Sequence, residues 1–200
     1  MDYNTFIKLS KNYKTVPVYK KILADLLTPI SAYMRLAKTS EFSFILESAI
    51  NGKSKGRYSF IGTDPQLIIK SENKKVYKKS KADWELLSDD FLTVLRLEQQ
   101  KYNAPKLSDI PSFTGGLVGY MGYESVVWVE DIPIYDHDEL ECPDAIFMLF
   151  KNIIAFDHLK NQIILFSNIQ IEEYDSLEIA YKDANTQIDS MGENLHTDID

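Results

Sequence analysis

Phe44-Ile45-Leu46-Glu47-Ser48 and, after a polar interval, Gly56-Arg57-Tyr58-Ser59-Phe60-Ile61-Gly62 decide how this chain is read. Both are short, rich in β-branched and aromatic residues and separated by loop-forming residues, so they predict two strands over 42–48 and 57–62. Strand propensity does not account for the carboxylate of Glu47, the hydroxyls of Ser48 and Ser59, the guanidinium of Arg57 and the phenol of Tyr58 where the runs would meet. These groups can serve a small zwitterion, whose ammonium needs acceptors and whose carboxylate needs donors. Strand geometry adds a condition. Neighbouring side chains point to opposite faces, so Glu47 and Ser48 reach one ligand only at a strand end, at a bulge or through the backbone.

Working outward, Asp2 caps a short predicted helix over 2–12, with Tyr3, Phe6 and Ile7 at helical spacing. Val16 to Ile22 alternates like a strand, and Pro17 confines it to an edge or a strand start. Thr28-Pro29 is a helix start, followed by Ile30, Tyr33, Met34 and Ala37 as the apolar stripe. A hairpin is expected from Gln66–Lys70 and Lys75–Lys78 around Ser71-Glu72-Asn73-Lys74. Leu87, Phe91, Val94 and Leu95 suggest one helix over 84–102, ended by Asn103 and Pro105. Strands are expected over 146–156 and 162–169, then a last helix from Tyr174 to about Asn194. Strands and helices do not alternate strictly, so the expected fold is α+β, mainly antiparallel sheet with flanking helices. The chain is read as one domain over 1–200, with 103–112 and 130–144 as surface connections.

The 200 residues are 44% hydrophobic, a globular composition long enough for one sizeable core or for an incomplete larger one. The net charge of -8 argues against nucleic acid or an anionic membrane as partner. The one basic stretch, Lys70 to Lys81, is interrupted by Glu72, Val76 and Tyr77 and reads as a solvated hairpin. A single cysteine, Cys142, rules out an intrachain disulfide. The start of the chain has no basic-then-apolar pattern, and no apolar run approaches the ~20 residues of a membrane span. A cytoplasmic protein, neither exported nor anchored, is the expectation.

Catalytic chemistry is sparse. His137, in Asp136-His137-Asp138-Glu139, could join a metal site or a solvated loop, and a single imidazole among carboxylates favours the loop. His158 reads as a turn residue and His196 as a tail residue. Cys142, before Pro143, reads as a partly buried small hydrophobe rather than a nucleophile. Four of the eight glycines fall in Phe113 to Glu124. The spacing Gly116, Gly119, Gly122 fits neither a dinucleotide fingerprint nor a phosphate loop, and close packing explains it better than ligand contact. Gly52-Lys53-Ser54 resembles the end of a phosphate loop, but Glu47 stands where that motif needs its first glycine.

Five ordered motifs carry a resemblance. They are Val16-Pro17-Val18-Tyr19, Leu27-Thr28-Pro29-Ile30-Ser31-Ala32-Tyr33, Leu46-Glu47-Ser48, Gly56 to Gly62, and Gly115-Gly116-Leu117-Val118-Gly119-Tyr120. In this order they resemble the N-terminal region of anthranilate synthase component I, from about residue 3 onward. The resemblance implies a large subunit that converts chorismate to anthranilate with ammonia from a glutamine amidotransferase partner, component II. It also implies a magnesium requirement and feedback inhibition by tryptophan.

In that family the chorismate and magnesium residues belong to a C-terminal half, which the resemblance places outside this chain. No catalytic or metal residue is therefore expected here, no cofactor is assigned to this segment, and the segment alone is expected to be inactive. The tryptophan site carries over onto Leu46, Glu47 and Ser48, and less directly onto Arg57, Tyr58 and Ser59. Arg57 could instead pair with Glu47 as a structural ion pair. Expected partners are tryptophan, component II and the chain's own C-terminal half. The alternatives are the N-terminal part of aminodeoxychorismate synthase component I, where the pocket would hold tryptophan structurally, and a non-catalytic binding module; Leu27-Thr28-Pro29-Ile30-Ser31-Ala32 favours the first reading.

Overall fold

The computed structural model describes residues 1–47, 56–80, 83–133 and 142–198. Along the chain the elements are α1 (Tyr3–Ser10), β1 (Thr15–Leu23), α2 (Pro29–Leu36), β2 (Ser43–Glu47), β3 (Tyr58–Thr63), β4 (Leu67–Glu72) and β5 (Lys75–Lys79). They continue with β6 (Trp84–Leu87), α3 (Phe91–Gln100), β7 (Gly116–Met121), β8 (Ala145–Phe150), β9 (Asn152–Asp157), β10 (Gln162–Gln170) and α4 (Leu177–Asn194). The chain divides into two compact units, one of residues 1–65, 102–116 and 150–200, the other of 66–101 and 117–149. The expected α+β fold with mainly antiparallel sheet is what forms.

The first unit holds a five-stranded sheet in the order β1-β10-β9-β3-β2, each registered pair antiparallel. Pro17 is accommodated because β1 is an edge strand. Register and period-2 alternation sort the side chains onto two faces. Val16, Val18, Ile61, Ile154, Ile163 and Leu165 share one face and pack against Phe6 of α1, Ala32 of α2, and Ala180, Ala184 and Ile188 of α4. Ala155, Ile164 and Phe166 lie on the other face under Leu107 and Ile110. The 103–112 connection therefore contributes to the core, with Pro105, Ile110 and Pro111 buried.

α2 begins as expected. Thr28 Oγ1 accepts from the Ser31 amide, Ser31 Oγ accepts from the Thr28 amide, and Pro29 occupies the first turn. Its buried stripe differs from expectation. Ala32 is buried and Tyr33 and Leu36 pack on the core, while Ile30 and Met34 remain 57% and 52% exposed. Two apolar stripes compete on this helix, and the alanine side allows close approach to the sheet.

The second unit holds a five-stranded sheet in the order β6-β5-β4-β8-β7. Three expectations are corrected here and at the join to β9. Residues 84–102 form a strand and a helix rather than one helix: Trp84–Leu87 pairs with β5, and Asp90 caps α3 through the Thr93 amide. Ser88-Asp89-Asp90 is the break, supplying turn residues and then a cap. The hairpin turn is Asn73-Lys74 alone, both at positive φ (52° and 60°), the geometry a two-residue hairpin loop requires. The run 146–156 is two strands, β8 and β9, separated at Lys151 and assigned to different sheets.

Within the glycine segment, Gly116 has open space around it at positive φ (129°), whereas Gly119 is closely packed. A Cβ at Gly119 would lie 1.9 Å from the Ile146 carbonyl oxygen, so β7 lies against β8 where only glycine fits. Phe91 of α3 packs its ring 5.2 Å from that of Trp128 and 6.2 Å from that of Phe147. The buried carboxylate of Glu98 is held by Lys78 at 2.6 Å and Lys101 at 2.9 Å. Cys142, expected to be partly buried, is exposed, since it stands in the connection before β8 rather than in a strand.

Candidate functional site

β2 and β3 pair directly in antiparallel register, with Leu46 opposite Phe60 and Glu47 opposite Ser59. The register distributes the expected site residues over both faces of the sheet. Leu46 shares its face with Phe60 and, two residues away on β3, Tyr58; Glu47 and Ser59 share the helix-covered face. Leu46 is 46% exposed and Ser59 is buried. Glu47 is the last residue of β2, the kind of position at which one ligand can touch groups from both faces. Ser48 lies outside the described residues, as do His137 and Gly52-Lys53-Ser54.

Arg57 does not pair with Glu47. Its Nε donates to Asp157 Oδ1 at 3.0 Å and its Nη2 to Asp157 Oδ2 at 2.8 Å, a bidentate pair across the β3–β9 boundary. The guanidinium also stands over the Tyr58 ring, 4.8 Å from its centroid. Asp157 is 2% exposed and accepts two further bonds from the Leu159 and Lys160 amides. Burial alone would raise its carboxyl pKa; the Arg57 bonds, the two amides and the Arg57 charge outweigh that, and the net shift is downward. Tyr58, directly opposite Asp157, has its phenol pushed up by burial and then by the Asp157 charge.

Ser59 Oγ lies 2.8 Å from His158 Nε2, and the His158 amide donates to the Arg57 carbonyl at 2.9 Å. His158 follows β9 in a turn, as expected. Asp157 is the residue sequence reasoning missed. Its role in starting the Asp157-His158-Leu159-Lys160-Asn161 turn is legible, because aspartate accepts from amides two and three residues on. Its partnership with Arg57 is not, because it depends on β3 and β9 becoming neighbours.

The assembly is a cation held by a buried anion at one end of the β2–β3 pair, with an aromatic face and a strand-end carboxylate nearby. Nε and Nη2 of Arg57 are committed to Asp157, and among the described residues Nη1 has no hydrogen bond. Among the described residues no three His, Cys, Asp or Glu side chains come together to hold a metal ion. No helix of the described residues is long and apolar enough to cross a membrane.

Known proteins with this pattern are consistent among themselves. The chain is 31% identical over 195 residues to "Anthranilate synthase component 1" of Synechocystis sp., covering 94% of this chain and 38% of that protein. It is 33% identical over 193 residues to the protein of the same name from Mycolicibacterium smegmatis, covering 95% and 37%. The solved structure of anthranilate synthase component I from Streptococcus pneumoniae superposes with a TM-score of 0.56 at 28% identity, over 86% of this chain and 37% of that one. The chain thus spans under two-fifths of the length of these relatives. The sequence profile described as "chorismate binding enzyme" matches residues 41–197, most of the chain and all of β2 through α4, and the chain belongs to that family.

Proposed function

We propose that this chain is the N-terminal, tryptophan-sensing part of an anthranilate synthase component I. In this reading the whole protein makes anthranilate from chorismate in the cytoplasm, with ammonia from a glutamine amidotransferase subunit. Magnesium and the reacting groups are supplied by residues outside this chain.

One observation carries the tryptophan site: β2 and β3 pair so that Leu46 and Glu47 stand opposite Phe60 and Ser59, with Arg57 and Tyr58 at the same end of the pair. A bound amino acid there would place its ammonium against the Glu47 carboxylate and the Ser48 hydroxyl. Its carboxylate would meet Arg57 Nη1, and its indole would lie against Leu46 and Tyr58. Ser59, buried and bonded to His158, serves the site by holding β3 in place.

Isothermal titration of tryptophan into the purified chain tests this. A saturable heat with one tryptophan per chain is expected, and phenylalanine should bind more weakly. Silence with tryptophan, combined with unchanged inhibition of a longer enzyme carrying Glu47→Ala, would end the proposal.

A further inference from the structure

At the opposite end of the β2–β3 pair, where Ser43 faces Thr63, the first unit contains a recess of about 200 Å³. Its composition is unusual for the space between a helix and a sheet. The stripe of α4 that lines it, Gln187, Ser190, Met191 and Asn194, has the i, i+3, i+4, i+7 spacing of a packing face, yet three of the four residues are polar. The neighbouring stripe, Ala180, Ala184 and Ile188, is apolar and buried as a sheet-facing stripe should be.

The sheet side repeats the pattern. Ile61 and Ile154 make an apolar floor, and Asn152, the first residue of β9, stands beside them. The Asn152 amide donates to Gln187 Oε1 at 3.3 Å, while its own Oδ1 is buried and accepts nothing. Directly opposite in the sheet, the fully buried Ser167 also has an oxygen without a partner. A buried acceptor left unpaired is costly and uncommon, and Asn152 Oδ1, on a residue that lines the recess, points to a donor that occupies it.

Charge narrows the class. Among the described residues the lining has no lysine, arginine or histidine, and Asp64 is its one charged side chain. Asp64 is held at positive φ (53°), with its amide donating to the Phe42 carbonyl and to Ser40 Oγ. A carboxylate or phosphate ligand would find only neutral amide and hydroxyl donors there, with no cationic partner and the negative charge of Asp64 against it. An ammonium carries three donors and no acceptor, so it suits this lining. The volume is below the roughly 300–1,000 Å³ of drug-sized pockets, which limits the ligand to a compact body.

We propose that this recess is a second small-molecule site, distinct from the Leu46–Arg57 end, for a primary ammonium on a compact apolar body. Asp64 is the counter-ion, Asn152 Oδ1 accepts a hydrogen bond, and Ile61 and Ile154 receive the apolar part.

Benzylamine, benzyl alcohol and benzoate share one body and differ in head group, so they separate the alternatives. Each is titrated into the isotope-labelled 200-residue chain while the amide resonances of Gly62, Asp64 and Ser190 are followed. Benzylamine should give saturable shifts in the millimolar range, benzyl alcohol weaker ones and benzoate none. Asp64→Asn, which tolerates the same positive φ, should weaken benzylamine about tenfold by removing a charge-assisted bond. Ser190→Phe, on the exposed rim, should block the recess. Tryptophan binding should be the same in both variants, which separates failure here from failure of the tryptophan site. Non-saturating benzylamine shifts, equal binding of benzoate, or an Asp64→Asn affinity equal to that of the parent chain would each overturn the proposal. If Ser190→Phe melts early, Asp64→Asn decides alone.

Discussion

Arg57 and Asp157, 100 residues apart in the chain, meet edge to edge through two parallel hydrogen bonds of 3.0 and 2.8 Å. The pair ties the start of β3 to the end of β9 and fixes one side of the candidate tryptophan site. Lysine carries the same charge but cannot offer two donors in a fixed plane.

Arg57→Lys and Asp157→Asn should therefore each lower the melting temperature by on the order of 5 °C. The double variant should lose less than the sum of the two, because each single change leaves a partner without its match. Calorimetry of the four proteins checks this, and strict additivity would show that the pair does not act as a unit.

Acid should act on the same residue. Asp157 and Glu98 both have folded pKa values below the ordinary carboxylate range despite burial that pushes the other way. In Asp157 the Arg57 bonds prevail, and in Glu98 the bonds from Lys101 and Lys78 do. A depressed folded pKa contributes stability that is present above the unfolded value, about 4, and is lost as pH falls through the folded value. The urea midpoint should hold steady above about pH 5 and fall below about pH 4, and Asp157→Asn should flatten the acid limb.

Ser48 offers the sharpest test of the tryptophan reading. In a longer enzyme containing this chain, Ser48→Phe should weaken tryptophan inhibition with uninhibited turnover near normal. Loss of one hydrogen bond to a charged group is worth about 1.5–3 kcal/mol, or roughly ten- to a hundredfold in affinity. If the serine served only the fold, stability and activity would drop together and the inhibition curve of the surviving enzyme would not move.

Two glycines should respond in opposite directions to the same change. Gly119→Ala places a Cβ 1.9 Å from the Ile146 oxygen and 2.7 Å from the Phe147 Cα, atoms of the neighbouring strand that cannot step aside. It should cost about 3 kcal/mol by overpacking. Gly192→Ala, inside α4 with 3.7 Å to the Leu165 side chain, meets only an ordinary contact and should stabilise by about 0.5–1 kcal/mol. Chemical denaturation of the two variants reads both signs.

What the sequence disclosed follows the range of the interactions involved. Thr28-Pro29-Ile30-Ser31 announces its helix because the cap and its partner are three residues apart. Trp84 to Leu87 misleads because four residues cannot distinguish a strand from the first turn of a helix, and pairing with β5 decides the matter. Ile146 to Phe156 is apolar except for Lys151-Asn152, a polar pair too short to read as a turn from sequence, and only strand pairing shows that the chain changes sheets there. The candidate site divides in the same way. Leu46, Glu47, Tyr58 and Ser59 were legible as strand-end chemistry, but which of them share a face follows from register, and Asp157 joins only once β3 and β9 are neighbours.

The pairing of β1 with β10, Thr15 opposite Gln170, also sets a timetable for synthesis. β1 takes its place only when β10 has been made, and residues 66–101 and 117–149 of the second unit are all made in between. That unit can close while β1 still waits, exposing Val16 and Val18 to the cell. A nascent chain halted before Gln162 therefore presents an unpaired apolar edge, a natural target for chaperones, until translation resumes.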